Sequence, residues 1–199
     1  MPVLDLGETS LTDARQIVEY YERGARESGR LPAQPAESKP MFDEFFDELG
    51  VTVRAWAYTY QLPQRRSTAN AWMHGVPWIE RQVIRGGYPL LAVIVKRSLK
   101  LRTDALAEHR AAIDRSLARV ASRLADGRRY LFADTLGAAD MAFASLIAPA
   151  VLAPEYSGPL PTIDELSEPM RQEVTEIRAH PAGQFALRLF REDRHVTLG

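Results

Sequence analysis

The chain has 199 residues, 46% of them hydrophobic, enough for one sizeable core or two small ones. Its 25 Lys and Arg balance 26 Asp and Glu, so no global field draws nucleic acid or anionic lipid. It contains no cysteine, which excludes disulfides, thiolate metal sites and a cysteine nucleophile within the chain. From the N-terminus, Val3, Leu4 and Leu6 form a short apolar strand, Gly7 and Glu8 a turn, and residues 9–11 a returning strand. Thr12 is placed to cap a helix, Asp13 suits its positive end, and Ile17, Val18 and Tyr21 repeat at helical spacing. Gly24 closes that helix, and the polar stretch after it, with Pro32 and Pro35, reads as an inter-domain linker.

Ser38 and Pro40 open a long helix that Pro63 ends. Its Phe42, Phe45, Phe46, Leu49, Val53, Trp56 and Tyr60 recur at three- and four-residue steps and face a core. Gly50 is tolerated inside it at about 1 kcal/mol, while Asp47, Arg54 and Tyr58 lie on a second face. Past Gly75 and Pro77, a helix carries Trp78, Ile79, Val83 and Ile84, and Gly86, Gly87 and Pro89 are expected to interrupt or kink it. Residues 88–95, followed by Lys96, Arg97, Lys100 and Arg102, read as a core helix with a charged outer face; a membrane-surface helix is the alternative. Thr103 and Asp104 start an amphipathic helix with Ala105, Ile113, Leu117, Val120 and Leu124 facing inward, and Gly127 stops it.

The next stretch, YLFADTLGAADMAFASL at residues 130–146, is almost wholly apolar from Leu136 onward. A helix apolar all round must be buried. Gly137 takes its N-cap position, Asp140 can reach back to a free backbone N–H, and Leu136 with Met141 is placed as a hydrophobic staple. Pro149 and Pro154 end or bend this helix. A proline-rich loop follows, Glu168 and Pro169 open another helix, and a last one packs Phe185, Leu189 and Phe190. His180, just before Pro181, is a capping or loop histidine.

Two stretches in this order resemble one family. Residues 130–146 resemble the buried central helix of the C-terminal domain of cytosolic glutathione S-transferases, where a small polar cap, two residues and an Asp open the helix; Gly137 here replaces the usual Ser or Thr. Residues 2–20, PVLDLGETSLTDARQIVEY, resemble the end of that family's thioredoxin-like domain, with a cis-proline, two strands and an acidic-Ser pair at a helix start. The resemblance implies a mainly α fold: a helical bundle like the glutathione S-transferase C-terminal domain, preceded by a partial thioredoxin-like β-β-α segment. It divides the chain into residues 1–24 (the end of the glutathione-binding domain), 25–38 (linker) and 39–199 (helical domain). The family's opening strand, helix and strand, with its catalytic Tyr, Ser or Cys, have no counterpart before Pro2, so the chain is expected to be N-terminally incomplete, through a mis-assigned start or a gene truncation.

Carried over by residue, the resemblance places the cysteinyl backbone of glutathione on Val3, after a cis-Pro2, and the γ-glutamyl end on Asp13 and Ala14. Free N–H groups and the dipole of a helix N-terminus welcome a carboxylate. Ala14 lacks the family's hydroxyl, and Asp13 as a plain helix-start acid is the alternative. Arg54 and Tyr58 are candidates for the cleft that receives the electrophile; a solvated Arg and a snorkelling Tyr are the alternative. The catalytic residue is unknown. Glutathione is the implied co-substrate, and no metal is expected, because His74, His109, His180 and His195 are scattered. Expected partners are a small electrophile and, in a homodimer, a second copy, with neither nucleic acid nor membrane. No N-terminal run has the order of a signal peptide, and residues 88–95 fall short of the roughly 18 needed to span a bilayer, so a cytoplasmic protein is expected. Two classes of function stand: a transferase joining the glutathione thiol to an electrophile in its complete form, weak or inactive as this chain, and a non-catalytic helical module for ligand binding or dimerisation.

Overall fold

A computed structural model describes residues 3–7, 9–29, 34–73 and 75–194. Strand β1 (Leu4–Asp5) pairs antiparallel with β2 (Ser10–Leu11), Leu4 opposite Leu11 and Asp5 opposite Ser10. The turn between them uses Gly7 at φ +87°, and the Asp5 carboxylate accepts the Gly7 N–H at 2.9 Å. Helix α1 (Ala14–Glu27) is capped by Asp13 rather than by Thr12. An extended backbone at Asp13 swings its Oδ1 over the first turn, where it accepts from Arg15 N (2.8 Å) and Gln16 N (3.2 Å). Gly24 does not close the helix; Gly29, at φ +70°, turns the chain after it.

The long helix expected from Ser38 is three pieces in line: α2 (Ser38–Glu44), a π-helical segment Phe45–Leu49, and α3 (Gly50–Gln61). The Gly50 N–H bonds to the Phe45 carbonyl, five residues back, and the wider turn keeps Phe42, Phe45, Leu49, Val53 and Trp56 buried on one side. Gly50 also has a packing reason, since a Cβ there would lie 2.7 Å from Leu146 Cδ2.

Helix α4 (Arg65–Trp72) and helix α5 (Trp78–Ser98) follow. Of the interruption or kink expected at Gly86, Gly87 and Pro89, the interruption does not occur: α5 is one helix through all three. Proline in mid-helix leaves the carbonyl four residues back without a donor. Here that carbonyl belongs to Arg85, and it accepts from the Arg65 guanidinium. The surface of α5 is mixed: Arg81, Arg85, Lys96 and Arg97 are exposed as expected, but so are Ile79, Val83, Leu90, Val93 and Ile94, and within the expected core stretch 88–95 Tyr88 is the buried residue. A 3-10 turn at Thr103–Ala105 leads into α6 (Leu106–Arg123), whose Ile113, Leu117 and Val120 are buried.

Helix α7 (Ala138–Val151) is the centre, with 10 of its 14 residues buried, and it packs against α2, α3, α8 and α9. Pro149 lies inside α7 without ending it; Leu152, at φ +46°, does so. Helix α8 (Glu168–Ala179) carries proline in its first turn, and α9 (Pro181–Arg188) runs on as a π-helical segment Leu189–Asp193. His180 caps α9, its Nδ1 accepting from Ala182 N at 3.3 Å. Trp56, Phe45, Phe143, Ile113, Leu117, Ile147, Met170 and Ile177 fill the core. The β-β-α segment adds little to it: α1 has no fully buried residue, and Val18 is what it packs against the core.

Candidate functional site

The N-terminus of α1 gathers the residues expected to hold glutathione, except Pro2, which lies outside the described residues together with the cis bond expected there. Val3 is exposed before β1. The Asp13 carboxylate is engaged by the Arg15 and Gln16 N–H groups, and Ala14 presents a bare methyl at the first helical position. Directly beside them, α1 is tied to the bundle by charge. Arg15 donates to Asp47, lies 3.6 Å from Asp43 Oδ1, and stacks 5.3 Å over the Phe46 ring. The Asp47 hydrogen bond raises the Arg15 pKa against a smaller desolvation effect. Lys39 completes the clamp, donating to Glu19 of α1 (2.9 Å) and to Asp43 (2.5 Å).

Arg54 and Tyr58 come to different places. Arg54 is exposed on α3, with no ion pair among the described residues. Tyr58 is half-buried, its ring 6.4 Å from that of Trp72, and it lines a cavity of about 230 Å³ between α3 and α5. Leu62, Ala92, Val93 and Leu101 give that cavity apolar walls, and Lys96 stands at its side. An apolar wall with a few polar groups suits a small organic ligand.

The start of α7 is a rigid joint. Asp140 is buried and accepts from Leu131 N (2.8 Å) through one oxygen and from Gly137 N (2.9 Å) through the other. Burial pushes its pKa up to about 6, the two N–H bonds pulling the other way. Gly137 has no side-chain oxygen to return the bond, so the box is one-sided. Leu136 and Met141 line a separate, larger cavity of about 340 Å³ with Tyr156 and Phe190.

One constellation has no signal in the sequence. The Glu173 carboxylate accepts from Trp56 Nε1 (2.8 Å) and from the Tyr60 hydroxyl (2.5 Å), with Arg110 Nη1 at 3.5 Å. Desolvation first, then the hydrogen bond to Glu173, pushes the Tyr60 pKa up to about 12, so this hydroxyl stays a donor. The residues come from α3, α6 and α8, and no local spacing relates them. Among the described residues, no group of three or more His, Asp or Glu is placed to hold a metal ion. His74 and His195 lie outside those residues. Among the described residues, no helix is long and apolar enough to cross a membrane.

Geometry thus defines an all-helical domain built round a buried, acid-started helix and entered from a short β-β-α segment. Residues 103–172, from the 3-10 turn before α6 into α8, match the family model described as glutathione S-transferase, C-terminal domain. Over that stretch, about a third of the chain, the helical domain is similar to the C-terminal domain of glutathione S-transferases. Comparison with curated proteins and with solved structures gave no match.

Proposed function

We propose that this is a glutathione S-transferase-like protein in which the N-terminus of α1, at Asp13 and Ala14 beside Val3, receives glutathione as co-substrate. The observation that carries this reading is the order of parts: the matched helical domain is preceded by β1, β2 and α1, with an acidic residue at the helix start. The glutathione thiol is joined to a small electrophile. Lowering the thiol pKa with a hydrogen bond or a helix N-terminus makes the nucleophile. The division at residues 24 and 38, the homodimer and the cytoplasmic setting belong to the same proposal.

A second reading, a non-catalytic ligand-binding or dimerisation module, is favoured by the cavity at Tyr58, which lies within the helical domain and needs nothing from α1. Calorimetric titration with glutathione separates the two. The transferase reading expects binding heat, and tighter binding by about fivefold in Ala14→Ser, where a hydroxyl restores one hydrogen bond of about 1 kcal/mol. Absence of heat at millimolar glutathione in both proteins rejects it. The module reading then expects a small apolar ligand to bind wild type and to lose affinity in Tyr58→Ala.

A further inference from the structure

The even charge balance of the whole chain hides a local one. Residues 64–102, which hold α4 and α5, carry eight Arg and Lys against one acidic residue, Glu80, while the rest of the chain carries 17 against 25. A surplus of seven positive charges thus sits on these two helices and their flanks, and a surplus of eight negative ones lies elsewhere. Helix α5 joins that charge to an exposed apolar stripe. Tyr88 is buried, and Ile84, Leu91 and Val95 share its face against the bundle. On the other side Ile79 (68% exposed), Val83 (68%), Leu90 (67%) and Ile94 (52%) are open to solvent, with Trp78 and Val93 beside them. At 3.6 residues per turn, Arg85 and Lys96 fall along the border of this stripe next to Trp78, and Arg97 falls at its C-terminal end; all three are exposed.

We propose that α5 docks this stripe on the surface of a bilayer carrying anionic phospholipid, with Arg85, Lys96 and Arg97 at the headgroup phosphates. An apolar stripe bordered by Arg and Lys, with Trp at its edge, is the composition of a helix lying in the interface plane, its apolar face entering the headgroup boundary. The long basic side chains bury their stems there and keep their charge at phosphate level. This assigns α5 the alternative its sequence left open and revises the expectation of no membrane partner. The shape of the free surface selects lipid over the groove of an acidic protein. The Tyr88 hydroxyl is fastened to the Leu62 carbonyl and the Arg85 carbonyl to Arg65, so one side of α5 stays on the bundle and no partner can wrap round it. Nucleic acid would use the charge through its phosphates and leave four exposed aliphatic side chains without a role. A second copy laid on the stripe would set one basic surface against another. The net-negative remainder of the chain is repelled by the same leaflet, which turns α5 towards the lipid.

No residue of the proposed glutathione site takes part, so glutathione titration and vesicle binding succeed or fail separately. The full chain is expected to co-sediment with vesicles of phosphatidylcholine and phosphatidylserine and to stay in solution with phosphatidylcholine alone. Lys96→Gln with Arg97→Gln should weaken that binding by about thirtyfold, the share of two basic residues near an anionic surface. Val83→Glu with Leu90→Glu should abolish it while the circular dichroism spectrum stays unchanged. Brominated lipid in the anionic vesicles should quench tryptophan fluorescence of wild type, and Trp78→Phe should lose most of that quenching, since Trp56 is buried in the bundle. Wild type that binds neither vesicle, or both equally, overturns the proposal, as does binding that survives both glutamates. Duplex DNA that competes the protein off anionic vesicles assigns the basic face to nucleic acid, and a dimer that the two glutamates dissolve assigns the stripe to a second copy; either result overturns it too. If the glutamate variant loses its fold, the brominated lipid decides, and quenching unchanged in Trp78→Phe rejects the proposal.

Discussion

Arg65 donates from Nη2 to the main-chain oxygen of Arg85 at 2.8 Å, and its guanidinium lies 5.8 Å from the centroid of the Tyr88 ring. The oxygen it reaches is the one that Pro89 leaves without its helical donor. A side chain 20 residues upstream thus repairs a backbone defect and keeps α5 one helix. The Tyr88 hydroxyl, donating to the Leu62 carbonyl at 2.7 Å, fixes the same segment to the end of α3.

Replacing Arg65 with Ala is expected to cost about 1–2 kcal/mol, the range for a hydrogen bond from a charged donor. In a Pro89→Ala background the cost should shrink, because the new N–H can satisfy the Arg85 carbonyl. Urea unfolding of the four proteins forms a double-mutant cycle. Equal costs in the two backgrounds would show that the repair is not what Arg65 does.

Asp140 makes stability depend on pH. Its pKa rises from 3.8 in the unfolded chain to about 6 in the fold, so between those values the folded protein keeps a proton the unfolded chain has lost. Stability from this group is full below about pH 4 and is lost as pH climbs through 6. Asp140→Asn cannot titrate, and it turns an amide donor towards an N–H, costing about 1–3 kcal/mol. The stability gap between wild type and this variant is expected to narrow by about 2 kcal/mol from pH 4 to pH 7. A gap that widens over that range contradicts the assignment.

Gly183 sits where α9 turns against the end of α8. A Cβ there would lie 1.9 Å from the Ile177 carbonyl oxygen, and backbone cannot step aside as a side chain can. Gly183→Ala is expected to cost about 3 kcal/mol in spite of alanine's better helix propensity. Gly24→Ala, on α1 where a Cβ meets nothing within 4 Å, is the matched control and should be neutral or stabilising. Similar unfolding midpoints for the two variants would refute the packing explanation.

Glu173 joins α8 to α3 through Trp56 and Tyr60. Glu173→Ala removes the acceptor for the indole N–H of a fully buried Trp56, with an expected loss of about 2–3 kcal/mol. Tyr60→Phe, which leaves Trp56 paired, should cost about 1 kcal/mol. A larger loss from Tyr60→Phe than from Glu173→Ala would reverse the roles given to the two bonds.

Local periodicity and punctuation carried much of the architecture. The β-β-α opening, the Phe42-to-Trp56 stripe and the acid at the start of α7 are each written within one continuous stretch of chain, and each stands in the structure. Punctuation alone misled at Gly24 and Pro89. Glycine permits a stop without imposing one, and the donor that rescues Pro89 lies on another helix. Thr12 and Asp13 are both good caps, and the backbone angle that chooses Asp13 is not visible in composition. The π-helical turn, which packs against α7, leaves no periodic mark in the sequence. For the candidate site, Asp13 and Ala14 could be placed at a helix end from spacing, and Tyr58 on a second face of α3. That Tyr58 meets a cavity while Arg54 does not depends on where α5 lies, and the Glu173 network joins residues 113 and 117 positions apart.

The clamp of Arg15, Lys39, Asp43 and Asp47 has a consequence for how the front of the chain is held. Apolar seams are not weakened by charge screening, whereas exposed ionic ones are, as the Debye length shrinks from about 10 Å at 0.1 M to about 3 Å at 1 M. With Val18 as its chief apolar foothold, α1 is fastened by electrolyte-sensitive bonds to a bundle whose own ion pairs are backed by a large apolar core. Brine should therefore loosen this front piece while the remainder stays folded, making ionic strength a dial for one part of the molecule alone.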